Sequence, residues 1–291
     1  MILVVGATGQ LGGLITHELL SRGTSVRMLV RSGSTHDELV AAGAEAIVGD
    51  LKDRDSVRAA CCDVDAVITT ANAIGRTGAD NLESVDHLGN ADLVDAAAAE
   101  GVRQFVFISA LGADADHPMP LLRAKGRTER RLRTSGMAWR VLQPNLYMET
   151  WIPAIVGGPA LAGQPVTLVG DGQRQHSMVA IRDVVSYTIA ALDHPEAQDQ
   201  TLPIGGPQPV TWRDVVAAFE RELGRELLVH TIAPGELIPG LPQVVSELAA
   251  ALACYDSPLD MTELSKIYGV AQTPLADFVH RFVADGLQRT G

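Results

Sequence analysis

The chain has 291 residues, 46% hydrophobic, 20% charged and only 4% aromatic, with a formal net charge of −12. That length suits one large α/β domain or a main domain with an appendage, and the scarcity of aromatics points to an aliphatic core. The acidic balance excludes a general attraction to nucleic acid or to anionic lipid, although a local basic site stays open.

From the start, short aliphatic runs alternate with amphipathic ones. Residues 2–5 are apolar without charge, as in a strand buried on both faces. Residues 10–22 place Leu11, Leu14, Ile15 and Leu19 at helical spacing before Gly23. A strand at 26–30, a short helix at 36–42 and a strand at 45–48 follow, then Gly49-Asp50-Leu51. The pattern continues with a helix at 56–60, a strand at 65–70, a long helix at 81–100 and a strand at 104–109. A helix at 123–135 and a strand at 139–142 complete it. This rhythm predicts a Rossmann-type α/β fold, a doubly wound parallel sheet of order 3-2-1-4-5-6.

After Pro144 glycine and proline punctuate shorter segments. Two helices stand out: 212–223, with Thr211 as N-cap and Gly224 behind it, and 275–283, opened by Thr273-Pro274. The expected division is a dinucleotide-binding domain over 1–150 and a smaller C-terminal α/β lobe over 151–291, packed on it as a single structural unit and covering a substrate pocket.

Three cysteines, Cys61, Cys62 and Cys254, form no CxxC and no metal-ligand spacing, so no metal is expected. A reducing, cytoplasmic setting follows. With no basic leader and no long apolar run, neither a signal peptide nor a membrane span is expected. The dense basic stretch Arg123, Lys125, Arg127, Arg130, Arg131 and Arg133 reads as a solvated helix face.

Gly6-Ala-Thr-Gly9-Gln-Leu-Gly12 leaves an apolar strand and opens a helix, the context in which such a turn holds a dinucleotide. Gly6 permits a tight turn, Gly9 lets backbone approach a diphosphate, and Gly12 lets the helix pack closely. Gly6, Thr8, Gly9, Gln10, Leu11 and Gly12 are therefore candidate cofactor-binding residues, beside a helix N-terminus that favours anions. Arg31 ends the second strand, where NAD-binding chains carry an acid for the ribose 2′-hydroxyl. A guanidinium there suits a 2′-phosphate, so the expected cofactor is NADP(H). Ser32 and Ser34 are candidate helpers; Arg27, which alternates with Arg31 along the strand, reads as structural or as a weaker helper.

These segments, with Phe107-Ile-Ser-Ala-Leu-Gly112, Leu142-Gln-Pro-Asn-Leu-Tyr-Met-Glu149, Ser177-Met-Val-Ala-Ile-Arg-Asp183 and Thr273-Pro-Leu275, resemble the NmrA-like branch of the atypical short-chain dehydrogenases/reductases. The likeness covers nearly the whole chain and is nearest to the NADPH:quinone and triphenylmethane dye reductases of that branch. It implies that Asp50 and Leu51 lie against adenine, that Thr70 and Ala71 line the cofactor, and that Ser109, Lys125, Pro144 and Asn145 surround the nicotinamide and its ribose. Asp183 reads as structural.

One departure bears on chemistry. The family's usual tyrosine, four residues before the lysine, is Leu121 here, which has no proton to give. Lys125 is left as ribose ligand or general acid, with Ser109 beside it as the other catalytic candidate. Tyr147, Met148, Trp151 and Ile152 are a candidate apolar substrate wall, or simply packing. His117 is a candidate donor or a solvated loop residue. The expected activity is NADPH-dependent reduction of a small apolar acceptor, such as a quinone, an activated double bond or a cationic dye. The alternative is a non-catalytic NADP(H) sensor acting through a protein partner, and a homodimer is open under either reading.

Overall fold

A computed structural model describes residues 1–74, 76 and 78–290. Contacts divide the chain into two compact units, Met1–Pro144 with Val184–Pro203, and Asn145–Asp183 with Ile204–Gly291.

In chain order the elements are β1 (Ile2–Val5), α1 (Gln10–Ser21), β2 (Val26–Val30), α2 (Asp37–Ala41), β3 (Glu45–Val48), α3 (Arg54–Cys61) and β4 (Ala66–Thr69). A π-helical segment, Leu82–Gly89, runs into α4 (Asn90–Ala99), followed by β5 (Gln104–Ile108), α5 (Pro120–Arg133) and β6 (Ala138–Pro144). Then come α6 (Met148–Ile152), α7 (Gly158–Leu161), β7 (Val166–Val169), α8 (Ile181–Asp193), β8 (Gln200–Ile204), α9 (Trp212–Leu223) and β9 (Val229–Ile232). The last are α10 (Gln243–Leu252), α11 (Thr262–Tyr268) and α12 (Leu275–Thr290).

The main sheet has the order β3-β2-β1-β4-β5-β6-β8. β1 to β6 pair in parallel, with Val5 opposite both Leu29 and Thr69, and Thr69 opposite Phe107. That register brings Gly6, Arg31, Thr70 and Ser109 to the carboxyl ends of neighbouring strands, where open α/β sheets bind ligands. β4 is buried along its whole length, as a central parallel strand covered on both faces must be. Leu3, Val67, Leu93, Phe105, Phe107 and Leu132 anchor one face of the core.

Two local features depart from simple periodicity. The expected helix over 81–100 begins as the wider π-helical turn. Asn81 caps it with Ser84 in a reciprocal box, and the Asn90 amide reaches back to the Val85 carbonyl at 2.9 Å. Such turns are common near functional sites, and this one carries Asp86 fully buried. Residues 184–203, which the sequence reading left in the second half, belong to the first unit, where β8 extends the sheet beyond β6.

In the second unit β7 and β9 form a two-stranded parallel sheet. Its core gathers Ile155, Val156, Leu168, Val215, Phe219, Phe278 and Val279. α9 has the expected bounds, fixed by a Thr211–Asp214 capping box and by Gly224 at φ 64°. α12 runs seven residues past the expected 283, and Phe282, inside the expected stretch, packs edge-to-face on Phe219 at 5.8 Å.

Candidate functional site

The glycine turn is dictated by crowding. Gly6 has φ +89°, and a Cβ there would stand 2.5 Å from Thr70 Oγ1. A Cβ on Gly12 would stand 2.2 Å from the Gly6 carbonyl oxygen. Gly9 differs: its Cβ would meet only the Gly6 oxygen, at 3.3 Å, so one side of the turn faces open space. Gly9 is also the N-cap of α1 and supplies no capping side chain, and the first turn holds no acid. The first N–H groups of the helix therefore lack both intrahelical and side-chain partners, and the partial positive charge of the terminus is not offset. Thr8, Gly9 and Gln10 are exposed and Leu11 is half-buried. The turn fits a diphosphate in donors, charge and clearance.

Thr70 backs the turn, with Oγ1 at 3.4 Å from the Val5 and Gly6 carbonyl oxygens. Ala71 continues the edge; its carbonyl accepts from Asn90 Nδ2 at 3.3 Å. Past β3, the Asp50 carboxylate accepts the Lys52 backbone N–H at 2.9 Å, while Leu51 is buried in the core. Leu51 Cβ lies so near Gly89 that a side chain there would approach it to 3.1 Å.

Arg31, half-exposed, donates from Nη1 to Asp80 Oδ2 at 2.6 Å. Arg76 Nη1 reaches the same oxygen at 3.3 Å, and Lys52 Nζ bonds the other, Asp80 Oδ1. Lys52 also lies 3.2 Å from Asp50 Oδ2. The Lys52 hydrogen bond, reinforced by Arg76 and Arg31, holds the Asp80 carboxyl below its usual range. Ser34 turns its hydroxyl to the Arg31 carbonyl at 2.8 Å. Arg27 is structural, bonding Glu45 at 3.0 Å and the Cys62 carbonyl at 2.5 Å.

Lys125 is not part of a solvated face: it is 4% exposed. Its Nζ donates to the Ile108 carbonyl at 3.3 Å and the Ala71 carbonyl at 3.5 Å and forms an ion pair with Asp86 Oδ1 at 3.4 Å. It also lies 5.0 Å from the centre of the Phe107 ring. Burial pushes its pKa down, with Asp86 opposing. Two carbonyls accept hydrogen bonds from the ammonium and Asp86 faces it as an ion-pair partner, so the lysine ties the ends of β4 and β5 to the π-helical turn. Ser109 donates to the buried Glu129 at 2.5 Å; Glu129 also accepts from Gln143 at 2.9 Å and Arg133 at 2.8 Å. The hydroxyl of Ser109 is thus committed inward. α5 holds no tyrosine, and the residue four before Lys125 is Leu121. His117 accepts the Met119 N–H at 3.0 Å and shapes its loop.

Within the second unit, Asn145 donates to the Ser257 carbonyl at 2.8 Å and to its hydroxyl at 3.1 Å. Met148 and Ile152 lie in the apolar core, with Trp151 packed on it. Tyr147, half-buried, pairs through its backbone with Val179. Asp183 holds Thr273, accepting its N–H at 2.7 Å and its hydroxyl at 2.8 Å, the structural role expected of it. Pro144 closes β6 and its carbonyl accepts the Leu111 N–H at 3.0 Å.

Sequence reasoning passed over Lys52, Arg76, Asp80, Asp86 and Glu129. Their only signal is position: Lys52 follows the Gly49-Asp50-Leu51 turn, Asp80 precedes an N-cap, and Glu129 lies one helical turn after Lys125. Among the described residues no cluster of His, Cys, Asp and Glu could hold a metal ion, and no helix is long and apolar enough to cross a membrane.

The sequence model of a family described as NAD(P)H-binding matches residues 6–195. The chain is 29% identical over 225 residues to an NAD(P)H azoreductase of Xenophilus azovorans, covering 77% of this chain and 74% of that one. It is 29% identical over 254 residues to the photosystem II assembly factor Ycf39 of Cyanophora paradoxa, covering 87% and 75%. In fold it is similar to the Citrobacter triphenylmethane reductase complexed with NADP(H), with TM-score 0.82, 20% identity, and coverage of 97% of this chain and 100% of that one.

Proposed function

This chain belongs to the NAD(P)H-binding family, and from that premise we propose that it is an oxidoreductase that prefers NADPH and reduces a small apolar acceptor without a tyrosine proton donor. The observation that carries this reading is the uncapped, uncrowded side of the Gly9 turn standing at the same sheet edge as Arg31. The turn would hold the diphosphate and Arg31 the 2′-phosphate. When bound, the nicotinamide supplies the hydride.

The chain's own residues bind and position. Lys125, with Asp86, holds the carbonyl-bearing ends of β4 and β5 in register and is a positioning residue, not the acid. Ser109 serves the same frame through Glu129. Acceptors that need no protein acid match this arrangement: quinones, activated double bonds, cationic dyes and azo bonds, whose reduced products take their proton from water. The name of the azoreductase relative favours the same class.

The test is NADPH oxidation by the purified chain with a panel of quinones, azo compounds and cationic dyes. Acceptor-dependent turnover, faster with NADPH than with NADH, is expected. Binding of NADPH with no turnover on the whole panel would move the chain to a second reading, an NADP(H)-responsive regulator. The assembly-factor relatives and the buried Lys125, held by two carbonyls and paired with Asp86, favour that reading.

A further inference from the structure

Arg31, Lys52 and Arg76 come from three separate connections of the first unit, yet all three point at one carboxylate. Arg31 follows β2, Lys52 follows β3, and Arg76 and Asp80 lie in the segment after β4. Because β3, β2, β1 and β4 are consecutive neighbours in the sheet, these connections emerge along one edge. Asp80 takes Arg31 and Arg76 on one oxygen and Lys52 on the other. Its side chain is 17% exposed, against 46% for Arg31, 43% for Arg76 and 30% for Lys52. The carboxylate is the inner member of the group and the cations form its outer wall.

Asp80 is also held from behind. The next residue, Asn81, donates its N–H to Ser84 Oγ at 3.0 Å, and the same hydroxyl donates to the Ala79 carbonyl at 2.7 Å. The backbone on both sides of Asp80 is thereby tied to the start of the π-helical segment. A carboxylate on so firm a base keeps its charge beside the cations, and only side-chain rotation takes it away.

We infer that Arg31, Lys52 and Arg76 together form the site of the cofactor's 2′-phosphate, and that Asp80 is a built-in counter-anion which competes with that phosphate for the three cations. The inference rests on the NADPH reading above and assigns its selectivity to the balance of these charges. Counting Asp50, which also touches Lys52, the group holds three positive and two negative charges. A phosphate that carries up to two negative charges near neutral pH therefore meets cations whose attraction the two carboxylates largely offset. NADH, which lacks the phosphate, does not compete for the cations and is insensitive to Asp80. The carboxylate thus lowers the preference for NADPH that the three cations alone would impose.

The experiment is calorimetric titration of the intact chain with NADPH, NADH and adenosine 2′,5′-bisphosphate, for the unaltered protein and for Asp80→Asn, Lys52→Ala and Arg76→Ala. Asp80→Asn is expected to tighten NADPH and the bisphosphate by roughly tenfold, about one charge-assisted contact, while NADH stays within about twofold. Lys52→Ala and Arg76→Ala are expected to weaken both phosphate-bearing ligands by a similar factor and to leave NADH unchanged. Weaker NADPH binding in Asp80→Asn, or equal changes for NADPH and NADH in all three variants, would overturn the inference. Melting curves show that each variant is folded before titration. If the unaltered chain binds neither dinucleotide, the functional reading itself fails; if it binds NADPH and only the variant pattern is absent, the counter-anion alone is rejected.

Discussion

Arg31, Lys52, Arg76 and Asp80 meet in water at the carboxyl edge of the sheet, whereas Lys125, Asp86, Glu129 and Ser109 meet beneath that edge, out of it. In the outer group the cations are 30% to 46% exposed; in the inner group the Lys125 and Asp86 side chains are 5% and 0% exposed. The same kind of attraction therefore does different work. In water an ion pair is screened and worth little, so its members can exchange partners. Under the sheet, loss of one partner strands the other charge in a poor solvent, so the pair is fixed. Under the proposed function the outer group would choose the ligand and the inner one would hold the strand ends beside it.

The sharpest way to break this contrast is Asp86→Ala. It removes the acid opposite Lys125 and the acceptor of the Ala73 N–H at 2.8 Å. A loss of about 3–5 kcal/mol in unfolding free energy is expected, measured by urea titration. A loss under about 1 kcal/mol would place the pair with ordinary surface contacts. Lys125→Met should cost less when made together with Asp86→Asn than the two single costs added, because neither charge is then left alone. Ser109→Ala comes next. It leaves the buried Glu129 with one donor fewer, and about 1–3 kcal/mol of stability should go, with nucleotide affinity unchanged by calorimetry.

Arg31→Ala should leave the urea midpoint in place and weaken NADPH about tenfold relative to NADH. Equal weakening of both would remove Arg31 from phosphate recognition. The smallest effects belong to bulk conditions. Raising salt should lower NADPH affinity more than NADH affinity, with little change in the contribution of the inner pair. On the acid side, the Lys52 hydrogen bond holds the folded pKa of Asp80 below its ordinary value of 3.8. Its contribution to stability is thus complete above that pH and is lost as pH falls further, through the folded pKa. Asp80→Asn should flatten that limb of the stability curve.

Much of the fold could be read from one residue to the next. The strand at 2–5, the glycine turn and α9 with its Thr211 and Gly224 bounds each depend on neighbours in sequence. The groupings around Asp80 and Lys125 do not. Lys52 and Asp80 are 28 residues apart, and only the strand order brings them together. Lys125 looked like its neighbours because Arg127, Arg130 and Arg131 share its helix. What separates them is which side faces Phe107, and a charge run does not state this. α8 went unnoticed although Val184, Val185, Thr188, Ile189 and Leu192 repeat at helical spacing. Its neighbours, Ser177 to Asp183 and Gly205-Gly206, drew attention as loop and motif.

The return of residues 184–203 to the first unit bears on how this chain can be cut. An expression fragment ending near Pro144 would hold every residue of the glycine turn and of the Asp80 group, yet it would lack β8. β6 would become the border of the sheet, with Val141 and Leu142, both fully buried in the intact chain, on a strand with unpaired backbone. A bare edge of this kind recruits other chains. Such a fragment should precipitate or self-associate, and a minimal nucleotide-binding piece must be made by splicing 184–203 back after Pro144 through a designed linker.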